Sequence, residues 1–311
     1  MQAWDQALYG ESGFYRQVAG PAGHFSTASQ GMPHIGELLA RALLELMDRE
    51  GLDTFVDMGC GRGELLEQIH RLGPHLRCIG VDIVPRPQLS EPIGWFQSPG
   101  GKQLPDELDS LTNTLLFANE WLDVVPCPIA EMDEHGELRE VLVNATSGDE
   151  RLGDPVSGAD RTWCQWFWPI DRLEPGDRVE IGEARDTAWD DVVSRVASGM
   201  AVAADYGHTI DSRPAPGTLT GFRQGRQVLP VPDGSCDLTA HVAMDSLTHD
   251  ELIDQRTALR QLGIRGQNPP YDLARSDPAA YLQGLSTASV ATALMAKGGL
   301  GDFLWAFTRA R

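Results

Sequence analysis

The sequence has few cysteines and no grouping of residues typical of a metal site. Its five cysteines, among 311 residues, lie far apart and include no C-x-x-C pair. An odd number at this spacing fits neither a disulfide framework nor a zinc site. The eight histidines are scattered too, without the spacing of metal ligands. We therefore expect a reducing compartment and predict no metal.

Basic charge and long apolar runs are also scarce. No run approaches the ~18 apolar residues of a membrane-spanning helix, and no basic stretch followed by an apolar one opens the chain. The chain has 25 Lys and Arg against 45 Asp and Glu, a net charge of −20. A field of that sign repels phosphate backbones and anionic lipids. We expect a cytoplasmic protein that binds neither nucleic acid nor membrane, with a cationic protein partner; a homo-oligomer stays open.

Two common catalytic signatures are missing, whereas the composition is that of a globular protein. The sequence contains no G-x-S-x-G motif and no G-x-x-x-x-G-K-[ST] loop, which disfavours serine hydrolases and P-loop enzymes. Hydrophobic residues make up 41% and charged residues 23%. A chain of this length and composition can bury a sizeable core as two average domains or one elaborated domain.

Hydrophobic periodicity predicts alternating strands and helices. Residues 1–32 look like loop and short turns, and a helix begins at Pro33 and ends at Gly51. A strand at 54–58 breaks into a glycine turn and is followed by a helix with Leu65, Leu66 and Ile69 on one face. Further strands are predicted at 77–83, 114–118 and 200–204. Strand, turn, helix and strand in this order form a βαβ unit, so we predict an α/β fold with a mostly parallel sheet.

The predicted organisation is a short N-terminal segment and an elaborated core. Residues 1–52 form the loop and helical segment, and residues 53–311 form the core. Residues 128–182, acidic and rich in tryptophan, interrupt the βα alternation and are predicted to be an inserted lobe. Helical additions follow at 245–300. Within them, Thr248 and Glu251 have the spacing of a capping box, and Asp277-Pro278 predicts a second helix start.

The strongest local motif is the glycine turn after the first strand. Gly59, Gly61 and Gly63 would allow a ligand to approach the backbone, and the next helix begins there. A dinucleotide fingerprint, G-x-G-x-x-G, has a third glycine where this chain has Glu64. A carboxylate at that position would sit badly beside a pyrophosphate. The pattern therefore favours an S-adenosylmethionine loop, with an ordinary glycine turn as the alternative.

Two acids flank this turn at strand ends. Asp57, just before the glycines, suits a ligand with an ammonium or sulfonium group better than a phosphate. Asp82 ends the second strand, where its carboxylate can accept hydrogen bonds from both hydroxyls of a ribose. Both side chains are therefore predicted to contact the cofactor.

Polar residues also follow two later strands. Asn119, Glu120 and Asp123 come directly after the strand at 114–118, and Asp205-Tyr206-Gly207 ends the strand at 200–204. Ligands of open parallel sheets bind outside these carboxyl ends. Asn119 and Glu120 can hold a donor group of the substrate or the amine of the cofactor. Polar caps at strand ends are common, so a purely structural role is the alternative.

These motifs together resemble the MidA-like methyltransferase family, which includes a mitochondrial complex I assembly factor that methylates an arginine. The matching segments run in order along nearly the whole chain. They are GFY at 13–15, GHFST at 23–27, GELL at 36–39, the glycine turn, ANExxD at 118–123, DYG at 205–207, GTL at 217–219 with FR at 222–223, and DLTAHV at 237–242.

The resemblance implies a class I methyltransferase fold, Rossmann-like, with S-adenosyl-L-methionine as cofactor. Its cofactor site would contain Asp57, Gly59, Gly61, Gly63, Asp82 and Asn119. If the acceptor is a protein side chain such as an arginine guanidinium, we expect Glu120 and Asp123 to be the catalytic residues that orient it, with Asn119 beside them.

Several residues differ from the family pattern on the presumed substrate side. His24 replaces an aspartate, Ser29 and Gln30 replace Pro-Glu, and Gly225 replaces a histidine. The sequence therefore indicates the identity of the methyl acceptor less clearly than that of the cofactor. An assembly factor that binds the cofactor without turnover is one alternative, and an NAD(P)-dependent oxidoreductase, disfavoured by Glu64, is another.

Overall fold

The computed structural model describes residues 1–17 and 35–310. The α-helices are α1 Gln2–Tyr9, α2 Ile35–Glu50, α3 Glu64–Leu72, α4 Gly158–Phe167, α5 Glu183–Ser194, α6 Gln255–Gln261, α7 Leu273–Ser276 and α8 Pro278–Leu294. The strands are β1 Thr54–Met58, β2 Arg77–Asp82, β3 Gly94–Gln97, β4 Thr114–Asn119, β5 Ile129–Met132, β6 Leu138–Val143, β7 Glu150–Pro155, β8 Arg178–Glu180, β9 Gly199–Asp205, β10 Gly207–His208, β11 Thr220–Arg223, β12 Arg226–Val228, β13 Asp237–Thr239, β14 Val242–Ala243, β15 Glu251–Asp254 and β16 Leu304–Arg309.

The centre of the fold is a seven-stranded sheet in the order β15-β16-β9-β4-β1-β2-β3. The five strands from β9 to β3 are parallel. At the other edge, β16 pairs antiparallel with β9, and β15 pairs antiparallel with β16. β1 is buried along its full length, as expected for a parallel strand covered on both faces. The predicted α/β fold with a mostly parallel sheet is confirmed.

Helices cover both faces of this sheet because side chains alternate along each strand. On one face, Phe55, Phe117 and Val202 pack against α2, α3, α6 and α8. On the other face, Val56 and Ala203 pack with residues of α5. Both clusters consist of fully or nearly fully buried apolar side chains, so the sheet is rigidly held and its carboxyl ends are fixed relative to one another.

Residues 128–182 contain a second, antiparallel sheet of order β7-β6-β5-β8 with α4 packed on it. Trp163 and Trp168 are buried in its core. A smaller sheet, β12-β11-β13, lies later in the chain. Both sheets fall outside the central sheet, and residues of β11 and β13 reach the carboxyl edge described below.

The prediction that the N-terminal residues form only loop and turns is wrong for residues 1–17. They contain α1 and a 3₁₀ helix, Phe14–Arg16. Trp4, Ala7 and Leu8 follow a helical spacing, and they are buried against Leu238, whose carbonyl accepts a 3.1 Å bond from Trp4 Nε1. Packing thus orders a segment too short to form a stable helix alone. The rest of that prediction, the helix start at Pro33 and the motif at 23–27 lie outside the described residues.

The predicted capping box is also wrong. Residues 251–254 form β15, in which Leu252 and Ile253 pair with Ala306 and Trp305 of β16. The helix begins afterwards, and Asp254 caps α6 by accepting a 2.6 Å bond from Thr257 N. Edge pairing to β16 outweighs the local capping pattern. The helix start at Asp277-Pro278 is confirmed, since Asp277 caps α8 through Ala280 N at 3.0 Å.

Candidate functional site

The turn between β1 and α3 presents backbone rather than side chains. Gly59, Gly61 and Gly63 have φ values of +69°, +59° and +81°, a region that favours glycine. A Cβ on Gly59 would lie 3.0 Å from Trp121 Cδ1, and one on Gly63 would lie 2.8 Å from Leu89 Cδ2. Gly59 and Gly61 line a cavity, whereas Gly63 faces Leu89.

This cavity, of about 1080 Å³, opens at the carboxyl edge of the parallel strands. Its wall includes Asp57 of β1, Asp82 of β2, Asn119 of β4 and Tyr206, which follows β9. Its volume is at the upper end of the range for small-molecule sites. The structure therefore brings the polar strand ends singled out in the sequence together around one space.

Asp57 and Asp82 lie next to the glycine turn in different environments. Burial raises the pKa of Asp57 well above its usual value, and the charges of Asp82 and Glu64 add to the effect. Asp82 Oδ2 accepts a 2.7 Å bond from Gly61 N, and its Oδ1 accepts a 3.1 Å bond from Val84 N. Burial still raises the pKa of Asp82 to about 6. Asp82 thus holds the glycine turn, and its remaining lone pairs stay available to a ligand.

The segment after β4 makes a sharp turn at Glu120, whose φ is +50°. Its backbone N–H donates to the carbonyl of Ala204 at 3.0 Å, which fixes the turn to β9. Asn119 Nδ2 donates to Glu120 Oε1 at 3.2 Å. Asn119 Oδ1 is buried and finds no donor among the residues that the structure describes. A ligand with an N–H or O–H group could satisfy it.

Asp205 holds this segment in place. Its Oδ2 accepts hydrogen bonds from Leu122 N at 3.0 Å and Asp123 N at 3.2 Å, and its Oδ1 accepts one from Tyr206 N at 2.9 Å. Burial, followed by the charge of Asp123, raises the pKa of Asp205 well above its usual value. Asp205 is absent from the cavity wall, so its contacts give it a structural role.

Asp123, in contrast, lines the cavity although it is only 3% exposed. Its Oδ2 accepts a hydrogen bond from the Tyr206 hydroxyl, which also contacts Thr239 Oγ1. Its Oδ1 is buried and has no donor within the described part of the chain. Burial raises the pKa of Asp123 to about 6, while the Tyr206 hydrogen bond opposes this shift.

The cavity residues that were not predicted from the sequence include Tyr9, Tyr15 and Asp237. The Tyr15 hydroxyl donates to Asp237 Oδ1 at 2.8 Å, across 222 positions of sequence. The ring of Tyr9 stacks on that of Tyr15, with centroids 5.5 Å apart, and its hydroxyl donates to Val124 O at 2.9 Å. The GFY and DLTAHV segments contain two of these residues, but no local pattern shows that they meet.

The buried side chain of Arg185 connects two segments of the chain that contribute to the cavity wall. Its buried guanidinium donates to the carbonyls of Asp123 at 2.8 Å, Val125 at 3.0 Å, Ala240 at 3.2 Å and His241 at 2.8 Å. This cation is therefore bound to backbone oxygens and tethers the segment after β4 to the segment after β13. No sequence pattern pointed to it.

His241 also reaches the cavity, where its ring lies edge-on to Tyr206 with centroids 5.2 Å apart. Partial desolvation of the ring and the charge of Arg185 lower the pKa of His241. Across residues 1–17 and 35–310, no group of three or more His, Cys, Asp or Glu side chains is arranged to hold a metal ion. No helix in those ranges is long and apolar enough to cross a membrane.

Comparison with known proteins gives a family match and matches to solved structures. A family model described as "Putative S-adenosyl-L-methionine-dependent methyltransferase" matches residues 66–263, more than half of the chain. A COG1565 superfamily member from Burkholderia thailandensis, solved with S-adenosyl-homocysteine, has 21% identity and a TM-score of 0.74, over 99% of this chain and 87% of that one. A native structure of a COG1565 superfamily protein from the same organism has 21% identity and a TM-score of 0.71, over 99% and 86%. The search of curated proteins finds no match.

Proposed function

Since this chain belongs to the S-adenosyl-L-methionine-dependent methyltransferase family, we propose that it transfers the methyl group to a cationic protein side chain, with arginine as the acceptor. The enzyme class, the cofactor and the class I fold follow from the family and fold matches. The acceptor, the roles of individual residues and the relation to the MidA-like branch are parts of the proposal.

The residues around the glycine turn fit this cofactor, which supplies an electrophilic methyl group on a sulfonium sulfur. The side-chain-free backbone of Gly59 and Gly61 gives the methionine end room, since a Cβ on Gly59 would already crowd Trp121. In the proposal Asp57 lies near the amine, and Asp82 accepts hydrogen bonds from the ribose hydroxyls. Asn119 Oδ1, buried and without a donor in the described residues, can accept one from the amine or from the acceptor.

One observation carries the arginine proposal: Asp123 lines the cavity together with Gly59 and Gly61, and its buried carboxylate oxygen Oδ1 is satisfied by no described residue. A buried acceptor without a donor is costly, so a ligand that donates there would be favoured. A guanidinium has five N–H donors in a fixed plane and pairs well with carboxylates. Glu120 adds a second carboxylate to the same wall.

In the proposed reaction these residues position the acceptor and manage its proton. Glu120 and Asp123 orient the guanidinium so that one nitrogen lies in line with the methyl–sulfur bond. The new N–CH₃ bond forms as the S–CH₃ bond breaks, and the nitrogen loses one proton. Asp123 Oδ1 would accept this proton, because its pKa of about 6 is higher than that of an exposed carboxylate.

Methyl transfer to proteins tests this proposal. The purified protein would be incubated with S-adenosylmethionine that carries a labelled methyl group and with proteins of a cell lysate, and the labelled protein would be hydrolysed to amino acids. We expect the label in methylarginine. Label in methyl-lysine, in base-labile carboxyl esters or only in small molecules would contradict the arginine acceptor.

A further inference from the structure

Asp237 lines the same cavity as the glycine turn and lies close to the Asp123–Tyr206 pair. It begins β13, and Thr239, two residues further along, contacts the Tyr206 hydroxyl that binds Asp123. Residues i and i+2 of a strand face the same side, roughly 7 Å apart. Asp237 and Thr239 therefore face the same space, and both line the cavity.

Neither the carboxylate of Asp123 nor that of Asp237 is paired in a salt bridge in the part of the chain that the structure describes. The nearby Arg185 donates to backbone carbonyls instead. Tyr15 donates to Asp237 Oδ1 and Tyr206 to Asp123 Oδ2, so each acid is held by one tyrosine. Asp123 Oδ1 is left buried without a donor, which points to a ligand group at this place.

We propose that Asp237 is a second acid of the acceptor site, so that a guanidinium binds between Asp123 and Asp237 with Tyr9 and Tyr15 along its side. This inference rests on the proposed arginine acceptor and adds a specificity residue to it. The stacked tyrosine rings suit a planar cation, which interacts favourably with aromatic faces. A neutral isostere would leave the two acids without a cation.

The electrostatics around Asp237 support this arrangement. Burial raises the pKa of Asp237 well above its usual value, and the charges of Asp123 and Glu120 raise it further, while the Tyr15 hydrogen bond opposes them. An acid that holds a proton ionises when a cation binds beside it, and the raised pKa of Asp237 makes it such an acid. Binding of a guanidinium should therefore release protons, and this release should depend on Asp237.

Calorimetric titration with N-acetyl-arginine amide tests the proposal, using protein saturated with S-adenosyl-homocysteine and two buffers of different ionisation enthalpy. The neutral isostere N-acetyl-citrulline amide serves as the ligand control. We expect the arginine probe alone to bind and to release protons. Asp237→Asn should weaken binding by roughly tenfold or more and reduce the number of protons released. Asp233→Asn, an exposed acid four positions earlier, should match wild type.

The outcomes separate this inference from the proposed function. Unchanged affinity and proton release in Asp237→Asn would remove Asp237 from the acceptor site and leave the arginine acceptor standing. Binding of the citrulline probe as tightly as the arginine probe would overturn the cation subsite. Wild-type protein that binds S-adenosyl-homocysteine but not the arginine probe would overturn the arginine acceptor and this inference together. Titration of S-adenosyl-homocysteine into Asp237→Asn checks that the variant is folded.

Discussion

Asp82 combines two functions in one carboxylate. Both oxygens already accept backbone N–H groups, from Gly61 and Val84, and the proposal adds the ribose hydroxyls. The side chain would therefore order the glycine turn before the cofactor arrives and bind the cofactor afterwards. Such preorganisation lowers the entropic cost of binding.

Asp82→Ala should weaken binding of S-adenosylmethionine by about tenfold or more, since hydrogen bonds to a charged acceptor contribute about 1.5–3 kcal/mol. The fold should remain intact, because the mutation removes no apolar packing. Titration calorimetry on the variant measures the effect, with the exposed Asp106→Ala as control. Wild-type affinity in folded Asp82→Ala would exclude this residue from the cofactor site.

Glu120 is proposed to act on the acceptor rather than on the cofactor. Glu120→Gln keeps the size of the side chain but removes the charge that orients a guanidinium. We expect nearly unchanged cofactor affinity and a methyl-transfer rate lower by about a hundredfold. The exposed Glu107→Gln should transfer methyl groups like wild type. Equal labelling of lysate proteins by Glu120→Gln and wild type would refute the role of Glu120.

At the scale of one element, the turn between β1 and α3 depends on glycine for two reasons. Gly61 has a φ of +59°, where a β-branched residue is strained, and it lines the cavity. Gly51 has a similar φ of +67°, but a Cβ there would meet nothing within 4 Å, and it precedes the opposite end of β1. Substitutions at Gly51 and Gly61 can therefore distinguish the effect of backbone strain from that of steric obstruction of the ligand.

Gly61→Val should abolish cofactor binding, whereas Gly51→Val should lose a similar amount of stability and still bind. Thermal melts with and without S-adenosyl-homocysteine measure both properties. We expect the ligand to raise the melting temperature of wild type and Gly51→Val but not of Gly61→Val. A full ligand-induced rise in Gly61→Val would place the cofactor elsewhere.

The elements that could be predicted from sequence are those whose local pattern and packing agree. The buried run of β1, its glycine turn and the amphipathic α3 form as expected. Leu252 and Ile253 suit either a helix or a strand, and only their partners Ala306 and Trp305, more than fifty residues away, decide for β15. α1 likewise depends on contact with Leu238.

The candidate site, too, is only partly predictable from local sequence, because some of its residues come from distant parts of the chain. Its predicted members follow parallel strands, and the topology places the ends of such strands together. Tyr15 and Asp237 meet through an N-terminal turn and a small separate sheet, so the chain must be folded before their proximity is visible. The sequence therefore predicts the part of the cavity around the glycine turn better than the part around Tyr15 and Asp237.

The buried acids also determine how stability should depend on pH. Among the aspartates with raised pKa values, six have the largest shifts, mainly through burial: Asp82, Asp123 and Asp186 at about 6, and Asp57, Asp205 and Asp237 well above normal. A raised pKa means that the folded state binds more protons than the unfolded state. The contribution of such a group to the free energy of unfolding is present at low pH and is lost as the pH rises through the folded-state pKa. The pKa of His208 is lowered to about 3, and that of His241 is lowered as well. Below pH 6.5 these two groups therefore have the opposite effect, so that their contribution to stability increases as the pH rises.

We expect the six acids to outweigh the two histidines, so the free energy of unfolding should fall between pH 5 and pH 8. Repulsion within a chain of net charge −20 acts in the same direction. Scanning calorimetry should give a melting temperature several degrees higher at pH 5 than at pH 8. Asp57→Asn should reduce this difference. A melting temperature that rises towards pH 8 would contradict the assignment of protonated acids around the cavity.

Calorimetric titration of the wild-type protein with S-adenosyl-homocysteine, beside NADH and NADPH, tests the central claim most directly. The cavity at the carboxyl edge, beside a turn that is followed by Glu64 where a dinucleotide site has its third glycine, should bind one S-adenosyl-homocysteine per chain and neither dinucleotide. Binding of NADH or NADPH without binding of S-adenosyl-homocysteine would contradict the account.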